Sequence, residues 1–119
     1  MALLSYASPD AYVARYAEND KSASGLGAGT HQWPVPYWYG DAAFGIMAVL
    51  LGAVDAGLGA CVLGNFRGEE ALAASLCVPN GWRLFGAVLL GWPDGDDRRS
   101  KSLDRIAPSP ETRIHRGRW

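Results

Sequence analysis

Few residues of this 119-residue chain have types that could carry chemistry, and their spacing excludes more than it supports. Gly57-Leu58-Gly59 has glycines spaced as in a dinucleotide-binding turn. In that turn, however, the glycines follow a strand and open a helix, whereas here they close a helix and open a strand. Gly59 and Gly64 have the spacing of a phosphate loop, yet Asn65-Phe66 stands where a lysine and a hydroxyl residue are needed. The two histidines, His31 and His115, are far apart, and His31 has no Cys, His or acid at ligand spacing. No metal is therefore expected, and no Ser/His/acid or Cys/His set can be assembled. Cys61 and Cys77 sit in apolar surroundings without CxxC spacing, and they read as small core residues rather than a disulfide. Paired carboxylates are likewise without a signature.

The elements that must hold any site are clearer. Asp41 to Phe66 is organised as a helix, a glycine turn and a strand. With Asp41 as N-cap, residues 42–56 are apolar on every side except Asp55, the pattern of a helix enclosed by protein. Gly57 supplies the left-handed residue that ends it, Leu58 is the apolar residue beyond the cap, and Ala60 to Leu63 continue as a short strand. Gly45, Ala48, Gly52 and Ala56 form a ridge of small residues, opposed by Ala43, Met47, Leu50 and Val54. Interior helix glycines cost about 1 kcal/mol each relative to alanine, so the ridge implies either ordinary core packing or a close helix or subunit contact. Asp55 in the last turn opposes the helix dipole and calls for a donor partner.

Upstream, Ala2 to Tyr6 reads as a strand, and Ser8-Pro9-Asp10 opens a short helix with Tyr12, Val13 and Tyr16 toward one face. Residues 18–30 are a polar loop with Asp20 and Lys21 in solvent. His31 to Gly40 is an extended run stiffened by two prolines and carrying Trp33, Tyr37, Trp38 and Tyr39, which either line a pocket or interface or cap the central helix. Downstream, Gly68 to Leu76 is a short amphipathic helix with Glu69 and Glu70 in its first turn, and Leu84 to Leu90 is a buried strand.

An apolar fraction of 49% and a net charge of -1 describe one small globular domain, expected in the cytoplasm. The central helix, counted from Asp41, has too few residues to span a bilayer, and no membrane partner is expected. Seven of the eleven basic residues, Arg98, Arg99, Lys101, Arg105, Arg113, Arg116 and Arg118, lie in the last quarter. That stretch is expected to hold an anion or to run as a solvated end, and the near-neutral total argues against a nucleic-acid partner. The expected division is an α+β core over residues 1–95 and an extended basic tail over residues 96–119.

An ordered set of motifs goes further. Tyr37-Trp38-Tyr39-Gly40-Asp41-Ala42-Ala43-Phe44, Ala53-Val54-Asp55-Ala56-Gly57-Leu58-Gly59-Ala60, Gly64 with Phe66, Val78-Pro79 and Gly86-Ala87-Val88-Leu89-Leu90-Gly91-Trp92-Pro93 together resemble the C-terminal half of the nitroreductase family. Tyr12 to Lys21, Trp33 to Trp38 and the close His115-Arg116-Gly117-Arg118-Trp119 are similar to an actinobacterial branch of it. The resemblance implies a partial nitroreductase-like α+β fold, a small, mostly antiparallel sheet packed with helices around a buried central helix. It also implies FMN, NADH or NADPH as reductant, a small-molecule nitroaromatic or quinone acceptor, and a homodimer with flavin sites between subunits and the central helix in the interface. By the same resemblance Val62, Leu63, Gly64 and Asn65 lie along the isoalloxazine, with a backbone N–H of Gly64 or Asn65 near its N5. Lys101 or Arg105 takes the phosphate. The family's opening Arg-x-Ser-x-Arg helix and Pro-Ser-x-x-Asn-x-Gln-Pro segment have no counterpart among these 119 residues. The resemblance therefore implies a truncated flavin site completed by another polypeptide, or a dimer-forming remnant without flavin.

Overall fold

The computed structural model describes residues 1–95, 100–105, 109 and 114–117. Three strands and three α-helices follow one another along it: β1 (Ala2–Ala7), α1 (Pro9–Tyr16), α2 (Tyr37–Asp55), β2 (Gly59–Leu63), α3 (Glu69–Ser75) and β3 (Arg83–Gly91), with three short 3-10 turns between α1 and α2. The sheet is antiparallel with β3 in the middle, in the order β1-β3-β2. This is the expected α+β architecture. β3 is central because Gly86 and Val88, both buried, alternate on the face that α2 covers, and Val88 is only 2% exposed. β1 has one neighbour, and its pairing extends to Met1, whose N and O both bond Leu90 at 2.8 Å.

Local signals end the elements where expected. The Ser8 hydroxyl accepts the Ala11 N–H at 3.2 Å, with Pro9 in the first helical turn. At the end of α2, Gly57 has φ +68°, its N–H reaches Val54 O at 3.0 Å, and the Leu58 N–H reaches Ala53 O at 2.8 Å. This is the paired-bond stop of a Schellman motif. α3 ends the same way through Cys77 at φ +53°, a conformation that costs a side-chain-bearing residue about 1 kcal/mol.

The central helix differs from its expected form in three respects. It starts at Tyr37, after Pro36, so Tyr37 to Gly40, the end of the run read as extended, are its first turn, while His31 and Gln32 belong to a 3-10 turn (Thr30–Gln32); Asp41 lies inside the helix and bonds the Tyr12 hydroxyl. The reason is tertiary: Trp33 makes edge-to-face contacts with Tyr12, Tyr16, Tyr37 and Trp38 at centroid distances of 4.7–6.3 Å. This cluster of rings caps the start of the helix, and its Tyr12 and Tyr16 also border an open cleft with Arg15, Lys21 and Asp41. At 19 residues α2 is long and apolar enough to cross a membrane, contrary to the count from Asp41. Yet it lies across all three strands of a sheet, and a sheet with open edges cannot be accommodated in hydrocarbon.

Finally, α2 is not enclosed. Trp38, Ile46 and Ala53 are its buried residues, while Phe44, Met47, Leu51 and Val54 are 53–76% exposed. Neither expected ridge faces the sheet, and a Cβ on Gly45 or Gly52 would meet nothing within 4 Å. Asp55 is exposed, and the donor partner its place in the last turn called for is not found among the described residues.

Both cysteines are free, as expected, but exposed rather than in the core: Cys61 is on an edge strand and Cys77 in a helix-ending turn. Asp20 and Lys21 are not simply solvated either. Arg15 bonds Asp20 at 2.7 and 2.8 Å and Glu18 at 3.1 Å, which lowers the Asp20 pKa, and Lys21 Nζ stands 5.6 Å from the Tyr16 ring centre.

Candidate functional site

The expected flavin-contacting residues lie where β2 leaves the sheet. β2 is an edge strand with all five residues exposed, so it is not the buried strand its apolar sequence suggests. Val62 and Leu63 pair with Val88 and Ala87 of β3, which leaves their outer edge unpaired. Gly64 and Asn65 follow, exposed, and neither N–H has a partner among the described residues. The buried Gly86 permits this close packing, since a Cβ there would stand 3.1 Å from Leu63 O.

The loop returns through Phe66, Arg67 and Gly68, the last at φ +73°, into α3. Glu69, the first residue of α3, then anchors it to β3. Its carboxylate takes Arg83 Nε at 2.8 Å, Arg83 Nη2 at 3.0 Å and the Leu84 N–H at 3.0 Å. Residues 64–68 thus span two points held on the same central strand, β2 by its ladder and α3 by this fork. The Arg83 guanidinium and the Leu84 N–H hold the Glu69 carboxyl at a pKa of about 2, and the Arg83 pKa is raised in turn.

A pH dependence follows. A carboxyl held below its ordinary value of 4.5 contributes stability that is complete above pH 4.5 and is lost as pH falls toward 2. The protection factors of the α3 amides, taken relative to the intrinsic exchange rate at each pH, should therefore fall across that window, with Trp82 fluorescence changing in parallel. Glu69→Gln should remove the pH dependence and leave α3 weakly held throughout. An α3 equally protected at pH 5 and pH 2.5 would contradict the fork's role.

Asn65, Phe66 and Arg67 line a cleft of about 460 Å³ with Gly68, Glu69, Glu70 and Ala71, within the size range of small-ligand sites. Arg67 was not among the expected site residues, although an arginine between Asn65 and Gly68 in a turn is a readable signal. It makes no ion pair among the described residues. Lys101 and Arg105 lie on and just after a 3-10 turn (Lys101–Asp104). No hydrogen bond, ion pair or cleft among the described residues joins them to Val62–Asn65. Arg98, Arg99, Arg113 and Arg118 of the basic tail lie outside the described residues, and no group of three or more His, Cys, Asp or Glu able to hold a metal occurs among the described residues.

These residues fit a planar, hydrogen-bonding ring. Two backbone N–H groups without partners adjoin a glycine whose φ is not left-handed, so the missing side chain answers a need for space rather than for backbone freedom.

Comparison with known proteins agrees with the fold. The chain superposes on a solved structure of a Clostridium acetobutylicum protein described as a putative NADH oxidase. The TM-score is 0.54 at 17% identity, covering 99% of this chain and 76% of that one. No curated protein sequence matches. The profile of the Nitroreductase family matches residues 10–92, a span that includes all of α1 but its first residue, α2, the β2 edge, the Gly64 loop and β3. By that match the chain belongs to the nitroreductase family of flavin-dependent oxidoreductases.

Proposed function

We propose that this protein is a cytoplasmic, nitroreductase-like flavoprotein that works as a homodimer. In this reading it catalyses two-electron reduction of nitroaromatic, quinone or similar acceptors by NADH or NADPH through FMN. The observation that carries the reading is the pair of unpartnered N–H groups at Gly64 and Asn65, on an open sheet edge inside the family-matched span. Val62 and Leu63 would offer the apolar flank of the ring, Gly64 its closest backbone approach, and Gly64 or Asn65 an N–H to N5. Lys101 or Arg105, from the same or the partner chain, would take the phosphate as a charge-assisted partner. When bound, FMN supplies hydride chemistry between the nicotinamide and the acceptor. The chain's own task is to position the ring, donate to it and exclude water from one face.

The dimer is supported by the outward stripe of α2. Phe44, Met47, Leu51 and Val54 recur at intervals of three, four and three on the side away from the sheet.

The test is the visible spectrum of the purified chain after incubation with FMN and desalting, followed by NADPH oxidation with a nitroaromatic acceptor. A retained flavin band and turnover above that of free FMN are expected. A colourless dimer without turnover would favour the remnant reading, in which the interface is kept and the flavin lost.

A further inference from the structure

Between α3 and the turn that leads into β3 lies a cleft of about 430 Å³, which the flavin reading leaves unused. One wall is a helical face, since Glu70, Ala73 and Ala74 are spaced three and four residues apart. The other is the run Val78 to Arg83, where the Trp82 N–H reaches Pro79 O at 3.4 Å and Gly81 takes φ +86°. The Glu69–Arg83 fork joins the two walls, so the cleft is framed by bonds the folded chain already makes.

The lining suits an organic cation. Within the fork, Arg83 and Glu69 neutralise one another, which leaves the exposed Glu70 carboxylate as the cleft's net charge, without a hydrogen bond or ion pair among the described residues. Trp82, 42% exposed, supplies an indole whose electron-rich face attracts cations, and Ala73, Ala74, Val78 and Pro79 offer apolar surface to methyl or methylene groups. An anion would meet Glu70, and a neutral apolar ligand would take water from that carboxylate without replacing it. We propose that this cleft binds a small alkylammonium ion, its charge shared by the Trp82 indole and the Glu70 carboxylate and its carbon groups against the alanines and Pro79. One aromatic ring and one carboxylate make a weak site, with Kd on the order of 1 mM. The assignment is independent of flavin binding.

Choline and its neutral isostere dimethylbutanol, in which carbon replaces the ammonium nitrogen, test this when titrated into the nitrogen-labelled protein at constant ionic strength. Choline should move the Trp82 indole N–H and the Ala73 and Ala74 amide resonances along one saturation curve, and the isostere should bind at least about fivefold more weakly. Trp82→Leu, followed at the alanine amides, should weaken choline about tenfold, and Glu70→Gln about threefold. Neither substitution removes a member of the Glu69–Arg83 fork, and continued protection of the Leu84 amide from exchange reports that the fork is intact. Absence of a saturable shift up to about 50 mM choline would overturn the proposal, and so would equal binding of the isostere. Choline binding untouched by both substitutions would overturn it as well, by placing the cation elsewhere.

Discussion

Leu51→Glu is expected to convert the protein from a dimer to a monomer in sedimentation at micromolar concentration. Leu51 is 63% exposed in the single chain, between Met47 and Val54 on the outward stripe of α2. In a two-fold interface each substitution is met twice, and the two carboxylates are brought near one another. The stripe places four partly exposed side chains from each copy in the contact. At about 1 kcal/mol each for the area still open, the gross gain is on the order of 8 kcal/mol. The association cost of roughly 4–15 kcal/mol takes most or all of this, so a dimer at micromolar concentration also needs contacts beside the stripe. Losing two leucines and burying two unpaired charges removes about 5 kcal/mol, a weakening of more than about a thousandfold. Because Leu51 lies away from the sheet, far-ultraviolet circular dichroism should remain that of a folded chain. A variant that still sediments as the wild type would place the subunit contact elsewhere.

Gly64→Val is expected to abolish retention of FMN through desalting, with a loss of affinity of at least about a hundredfold, or roughly 3 kcal/mol. The substitution is informative because Gly64 is not in the left-handed region, unlike Gly57, Gly68 and Gly81. Valine can adopt the backbone that glycine has there. What it cannot do is leave the space beside the backbone open: its Cβ would fall 2.8 Å from Phe66 Cζ and stand where a flavin ring would have to approach. Unchanged circular dichroism together with lost flavin separates this effect from unfolding. Retention within about threefold of wild type would mean that the ring does not approach the backbone at this residue.

The two substitutions probe different links. Leu51 bears on whether the sites have a second subunit beside them, and Gly64 on whether the β2 edge receives a ring. A flavin-retaining monomer from Leu51→Glu would show that one chain suffices to hold FMN. A colourless monomer would show that the partner contributes to the site.

What the sequence by itself determined is what neighbouring residues decide among themselves. The Ser8 cap, the Pro9 start and the Gly57 stop with Leu58 beyond it rest on bonds closed within a few residues, and each is found where its residues put it. The strand β3 was legible as a strand, but its apolar run overstated its burial: Gly86 and Val88 are covered, whereas Phe85 and Leu89 on the other face are exposed in the single chain. Val62 to Asn65 could be singled out only through resemblance, because no local spacing marks a backbone N–H as a donor to a ring.

Tertiary structure decided the rest, wherever a residue's role depends on a partner distant in the chain. The start of α2 at Tyr37 follows from Trp33 and Tyr12 packing against Trp38. The hold on α3 follows from Glu69 meeting Arg83 fourteen residues later. Apolar composition also could not tell enclosure from waiting interface. The outward face of α2 and the edge strand β2 have core-like sequences yet lie open in the single chain, because hydrophobic pattern records that a surface is to be covered and not by what.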